Sequence, residues 1–258
     1  MSAGRSQRIT SITFSTPSGV EVPAVTTDQM REIDRIAMEE TGPNLFQMME
    51  NAGRNLAEMT IECLGATWRQ AKIVVLAGTG GNGGGGIAAA RHLANHGAHV
   101  QLCLARPDKL GEVSAWQRKI FQSTSGTDVL PGNLDKDAVH IILDALIGYG
   151  LDSAPSGVFA DLIAWANSTR APILSLDVPS GMNSTTGETP GLSIQAVWTM
   201  TLALPKTGLA GGKVGQLTLA DIGIPAGTYR RMSLPHVSPF RGRFRVLLSE
   251  HGRADGGQ

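Results

Sequence analysis

The sequence predicts a three-layer αβα fold of the Rossmann-like kind, a mostly parallel sheet with helices on both faces. Three observations carry that expectation. Short apolar runs recur along the chain without alternation, amphipathic stretches at helical spacing separate them, and turns bearing glycine or aspartate follow them. Strands that are apolar on every residue are buried on both sides, which happens when helices cover both faces of a parallel sheet.

Composition narrows the function classes. Of 258 residues 41% are hydrophobic, only 5% are aromatic and 32 are glycine, as expected of a globule with several tight loops. Lys+Arg and Asp+Glu number 22 each, which argues against a general nucleic-acid binder or a polybasic membrane binder. No run approaches the roughly 18 apolar residues of a membrane span. Cys63 and Cys103 sit in no CxxC pair and build no disulfide framework, so a reducing, cytoplasmic setting is expected.

Residues 1–22 hold Arg5, Arg8 and many Ser and Thr, with no acid before Glu21, and lack a secretory core. They are expected to be a loose tail. Thr26-Thr27-Asp28 can cap a helix over Gln29–Glu40, and the apolar spacing predicts a second helix over Leu45–Leu64. The run Ile73–Ala77 predicts a strand, then a glycine loop, then a helix over Ile87–Asn95. Val100–Leu104, a weaker Thr127–Leu130, His140–Leu143, Pro172–Leu176, Val197–Leu204 and Gln216–Leu219 complete the strands. Helices around Val113–Phe121 and Phe159–Ala166 fall among them. One domain over residues 23–226 is expected. The remainder, 227–258, reads as a basic tail carrying Arg230, Arg231, Arg241, Arg243, Arg245 and Arg253, with one possible strand at Phe240–Leu248. An arm that packs on a subunit or stays mobile is the expectation there.

In parallel sheets ligands gather at the carboxyl ends of strands. The first strand leads into GTGGNGGGG (78–86), whose glycines permit close backbone approach and whose amides suit phosphate at a helix start. A dinucleotide dehydrogenase would also carry an acid at the end of the next strand, where Leu104-Ala105-Arg106 stands instead. Within the loop, Asn82 is the coordinating side chain beyond Thr79. Asp144 opens DALIGYG, where ion ligand and turn cap are equally open readings. Asp177 and Ser180 lie in DVPSG, and PKTG brings Lys206 to the same edge. Such convergence in one crevice marks a site. Nucleophile chemistry is poorly supported, because Ser180 sits in PSG without a matching His. His92 and His96 lack a third metal ligand and read as a helix face.

Taken in order, these motifs resemble the NAD(P)H-hydrate epimerases, whose domain is the YjeF N-terminal fold. LFQMMENAG (45–53), GTGGNGGGG, DALIGYGL, DVPSGMNSTTGE, LALPKTGL and LADIGIP (219–225) are similar to the family's motifs over about residues 24–225. Departures fall in the loop usually written GPGNNGGDG, where Gly81 replaces its first Asn and Gly85 its Asp.

The resemblance implies epimerisation at C6 of hydrated NADH or NADPH; the expected catalytic residues are Asp177 as acid and base and Lys206 placing or polarising the ring substituents. It implies a substrate site built from Gly81, Asn82, Gly83, Gly84, Gly85, Gly148, Tyr149, Gly150, Leu151 and Asp177. A monovalent cation, K+, would be held by Asn82, Asp144 and Ser180. Burial of the Asp177 carboxyl is expected to raise its pKa, and loss of the Asp at 85 to remove a polar contact beside the substrate. A homodimer is implied, and an ATP- or ADP-dependent dehydratase on a separate chain. The altered loop keeps two other readings open. One is a non-catalytic ligand- or protein-binding module on the same fold; the other is a related isomerase or hydratase acting on another small molecule.

Overall fold

Residues 12–250 are described by a computed structural model. A ten-stranded sheet has the order β2-β1-β10-β9-β8-β7-β6-β3-β4-β5. Its parallel part comprises β3 (Lys72–Ala77), β4 (His99–Leu104), β5 (Thr127–Val129), β6 (Val139–Ala145), β7 (Ile173–Leu176), β8 (Trp198–Leu202) and β9 (Gln216–Ala220). Each predicted strand is present.

Alternate residues of β3 and β6 enter opposite layers. Ile73, Val75, Ile141 and Leu143 meet Leu56 of α2 (Leu45–Leu64), Ile87 and Leu93 of α3 (Gly81–Asn95) and Phe121 of α4 (Glu112–Phe121). Val74, Leu76 and Ile142 meet Leu162 and Ile163 of α5 (Val158–Ser168) on the other side. Burial on both faces explains why these strands read as continuous apolar runs.

The first helix, α1 (Thr27–Ile36), begins in a capping box: the Thr26 hydroxyl accepts from the Gln29 N–H, and the Gln29 side chain accepts from the Thr26 N–H. It stops at Ile36 rather than Glu40, because the last predicted turn widens into a π-helical turn over Ala37–Thr41 ahead of Gly42-Pro43.

Two expectations need correction. Only Gly78–Gly80 form a turn after β3; the later glycines are not a loop, since α3 starts at Gly81. An added Cβ would meet the Gly78 backbone at Gly83, Met49 at Gly84, Leu176 Cδ2 at 2.9 Å at Gly85 and Ala145 at Gly86. Glycine costs about 1 kcal/mol per helical position relative to alanine, and here close docking of helix on sheet overrides it.

The sheet also extends past the limits 23 and 226. β1 (Thr13–Ser15) and β2 (Glu21–Pro23) form an antiparallel hairpin, and β10 (Arg245–Glu250) inserts between β9 and β1. Phe14, Leu248, Leu217 and Leu219 share one buried cluster, which gives these segments their reason to dock. Arg245 bridges Glu58 and Glu62 of α2 at 2.7 and 2.5 Å. Arg231, in α6 (Ala226–Arg231), pairs with Glu40. Two of the basic residues are thus engaged within the chain. Arg5, Arg8 and Arg253 lie outside the described residues.

Candidate active site

Four strands end around one cavity of about 720 Å³. Its wall takes Thr79–Asn82 after β3, Leu146–Gly150 after β6, Asp177 after β7, and Leu202 and Lys206 after β8. Asp34, Met48 and Met49 from α1 and α2 also line it.

Asp144 lies inside β6, at its buried end, and is fully shielded from solvent. Its carboxyl accepts from the Ser175 hydroxyl at 2.8 Å, the Ser180 hydroxyl at 2.6 Å, the Ser180 N–H at 2.9 Å and the Leu146 N–H at 3.3 Å. Burial pushes its pKa up, and the donors from Ser180, Ser175 and Leu146 pull against that. Ser180 Oγ also accepts from the Ile147 N–H at 2.8 Å, so Asp144 and Ser180 knit two turns together.

Asp177 has a different partner. It forms a buried ion pair with Lys206 and accepts from the Tyr149 N–H at 3.2 Å, the Leu202 N–H at 3.3 Å and the Thr201 hydroxyl at 3.4 Å. Lys206 Nζ also donates to the Leu202 carbonyl at 2.9 Å. Asp177 and Lys206 thus balance each other's charge within the buried wall. Asp177 sits at φ +70°, a left-handed backbone that aspartate tolerates better than most residues, and its N–H is tied to the Met200 carbonyl at 2.7 Å.

Tyr149 joins this pair to α1. Its N–H reaches Asp177, its carbonyl accepts from the Ser184 hydroxyl at 2.9 Å, and its phenol donates to Asp34 Oδ2 at 2.5 Å. Lys206 Nζ stands 5.8 Å from the centre of the tyrosine ring. Burial raises the pKa of Asp34, the Tyr149 phenol and Lys206 lower it, and Asp177 raises it. Burial and then the Asp34 charge also raise that of the Tyr149 phenol. Asp34 escapes sequence reasoning because it follows no strand and reads as one polar position of an amphipathic helix.

Both polar atoms of the Asn82 side chain are buried without a hydrogen-bond partner. A Cβ added at Gly148 would stand 3.4 Å from Asn82 Oδ1, so Asn82 is packed on the turn whose Ile147 amide and carbonyl hydrogen-bond Ser180. A buried amide oxygen without a protein partner is a donor that suits a hard cation bound through oxygen, and Asn82 packs on the turn that Ser180 holds.

Of the expected substrate residues, Gly81, Asn82, Gly148, Tyr149, Gly150 and Asp177 line the cavity. Gly83, Gly84, Gly85 and Leu151 are not on its wall. Gly85 faces Leu176 and Ala52, and Ala52 is itself on the cavity wall. His92 is hydrogen-bonded to Glu50 at 2.8 Å. No group of three or more His, Cys, Asp or Glu among the described residues could hold a metal. The buried Cys103 thiol is pushed up to about 12, and Cys63 up to about 11, burial leading in both. No described helix is long and apolar enough to cross a membrane.

Comparison with known proteins places this geometry. Residues 45–208 match the family model described as YjeF-related protein N-terminus. The chain belongs to that family. It is 49% identical, over 92% of its length and 97% of the relative's, to the NAD(P)H-hydrate epimerase of Dehalogenimonas lykanthroporepellens. Identity to the NAD(P)H-hydrate epimerase of Rhodopirellula baltica is 35%, covering 83% of this chain and 90% of that one. A bifunctional NAD(P)H-hydrate repair enzyme, Nnr of Salinibacter ruber, is 34% identical over 79% of this chain and only 41% of its own length. The crystal structure of yeast ynu0, YNL200c, shares the fold: its TM-score is 0.77 at 20% identity, covering 88% of this chain and 99% of that one.

Proposed function

We propose that this YjeF-family protein is an NAD(P)H-hydrate epimerase, an isomerase that interconverts the two C6 epimers of hydrated NADH and NADPH. The observation that carries the reading is the buried Asp177–Lys206 pair on the wall of a cavity ending four strands, in a chain 49% identical to a protein of that name. The start of α3, with Gly81 and Asn82 on the wall, offers free amides to the anionic part of a nucleotide. Binding there positions the ring; the proton chemistry belongs to Asp177, with Lys206 balancing its charge. Loss of the C6 hydroxyl gives a ring iminium, and water returns on the other face.

Asn82, Asp144 and Ser180 would hold K+, which supplies positive charge and fixes the turns after β3, β6 and β7. A cytoplasmic homodimer working with a dehydratase on a separate chain is part of the same proposal. Chiral chromatography of one purified epimer tests the activity. The protein should equilibrate the epimers, faster with K+ than without, and Asp177→Asn should abolish exchange while leaving fold and ligand binding. Normal exchange in that variant would remove Asp177 from the chemistry.

A further inference from the structure

Inverting a carbon by taking its hydroxyl off one face and returning water to the other places two proton transfers on opposite sides of a ring. A single carboxylate fixed by an ion pair and three further donors, as Asp177 is, sits on one side only. Tyr149 leads from it to a second carboxyl. One end of that residue, the N–H, holds Asp177 Oδ2, and the other end, the phenol, holds Asp34 Oδ2. The two carboxyls are therefore held at the two ends of one tyrosine. Asp34 lines the cavity, and its Oδ1 takes no hydrogen bond from the described residues.

We propose, resting on the epimerase reading, that Asp34 is the second acid–base group and that Asp34 and Asp177 each serve one face of the nicotinamide C6. In one direction the Asp34 carboxylic acid gives its proton to the C6 hydroxyl. The C6–O bond breaks with its electron pair leaving on the oxygen as water, and the N1 lone pair forms the N1=C6 iminium. Water then attacks C6 from the other face with an oxygen lone pair, and its surplus proton passes to the Asp177 carboxylate. The enzyme ends with the proton on Asp177 and none on Asp34, the form that runs the opposite epimer back. Solvent exchange also resets it.

The electrostatics suit one shared proton. Burial, and to a smaller degree the Asp177 charge, favour a proton on Asp34, while the Tyr149 phenol and Lys206 pull the other way. Tyr149 holds the Asp34 carboxyl in place and leaves its other oxygen to the cavity.

The test supplies one epimer in water enriched in ¹⁸O and follows both configuration and label by chiral separation and mass spectrometry. Wild-type protein should invert C6 with ¹⁸O entering the hydroxyl. Asp34→Asn should slow inversion by about 10²–10⁴ yet still exchange ¹⁸O into one epimer with retention, because Asp177 can remove and return water on its own face. Asp177→Asn should retain exchange into the other epimer. Tyr149→Phe, which keeps both carboxyls, should weaken the Asp34-side exchange by about tenfold, the scale of one hydrogen bond to a charged group, and so stands in if Asp34→Asn does not fold. Inversion at the wild-type rate in folded Asp34→Asn, equal loss of exchange into both epimers there, unchanged exchange in Tyr149→Phe, or wild-type inversion without label would each overturn the proposal. Absence of any inversion in wild type would overturn the epimerase reading instead.

Discussion

Asp144 and Asp177 end neighbouring parallel strands and are both buried, yet their surroundings are opposite. Among the described residues Asp144 accepts from neutral donors alone, two hydroxyls and two amides. Asp177 has an ammonium and faces the cavity. Position in the fold brings a carboxylate to the sheet edge; the partner decides what it is for. A carboxylate held by neutral groups has charge left over for a mobile cation, whereas one paired with a buried lysine is already balanced within the chain.

Substitutions can break or sharpen that contrast. The largest effect should come from Asp177→Asn, a fall in epimer exchange of about 10²–10⁴ together with a lower melting midpoint, because the buried Lys206 ammonium loses its partner. Asp144→Ala should act on stability, because buried donors lose their acceptor at about 1–3 kcal/mol each; chemical denaturation would show it, and a melting midpoint at the wild-type value would refute the knitting role given to this residue. Asn82→Ala should abolish any stabilisation by K+ in a thermal shift while barely changing the protein without it, since the amide has no protein partner to lose. Smallest of all, Gly81→Asn should stay within about 0.5 kcal/mol, because an added Cβ meets only Met49 Cε at 3.9 Å.

Much of this was legible in the residues. Unalternating apolar runs give the strands, and the rule that ligands collect at strand ends gathers Asn82, Asp144, Asp177, Ser180 and Lys206 before any geometry is known. What stayed hidden has physical causes. Helix propensity speaks against Gly83–Gly86, and only tertiary contact explains their helical state. Phe14 and Leu248 lie in short segments whose value depends on a sheet edge assembled elsewhere. Asp34 becomes chemical only because Tyr149 reaches it across 115 positions of sequence.

The glycine-built start of α3 also sets how this protein can change. Side chains are sterically shut out at 83 and 86, where an added Cβ would meet the Gly78 backbone and Ala145, while Gly80 has nothing within 4 Å of an added Cβ. Saturation mutagenesis scored for soluble protein should return almost nothing but glycine at 83 and 86 and a wide alphabet at 80 and 81. New ligand preferences would then evolve through the rim of that helix, its interior face being frozen by the strands beneath it.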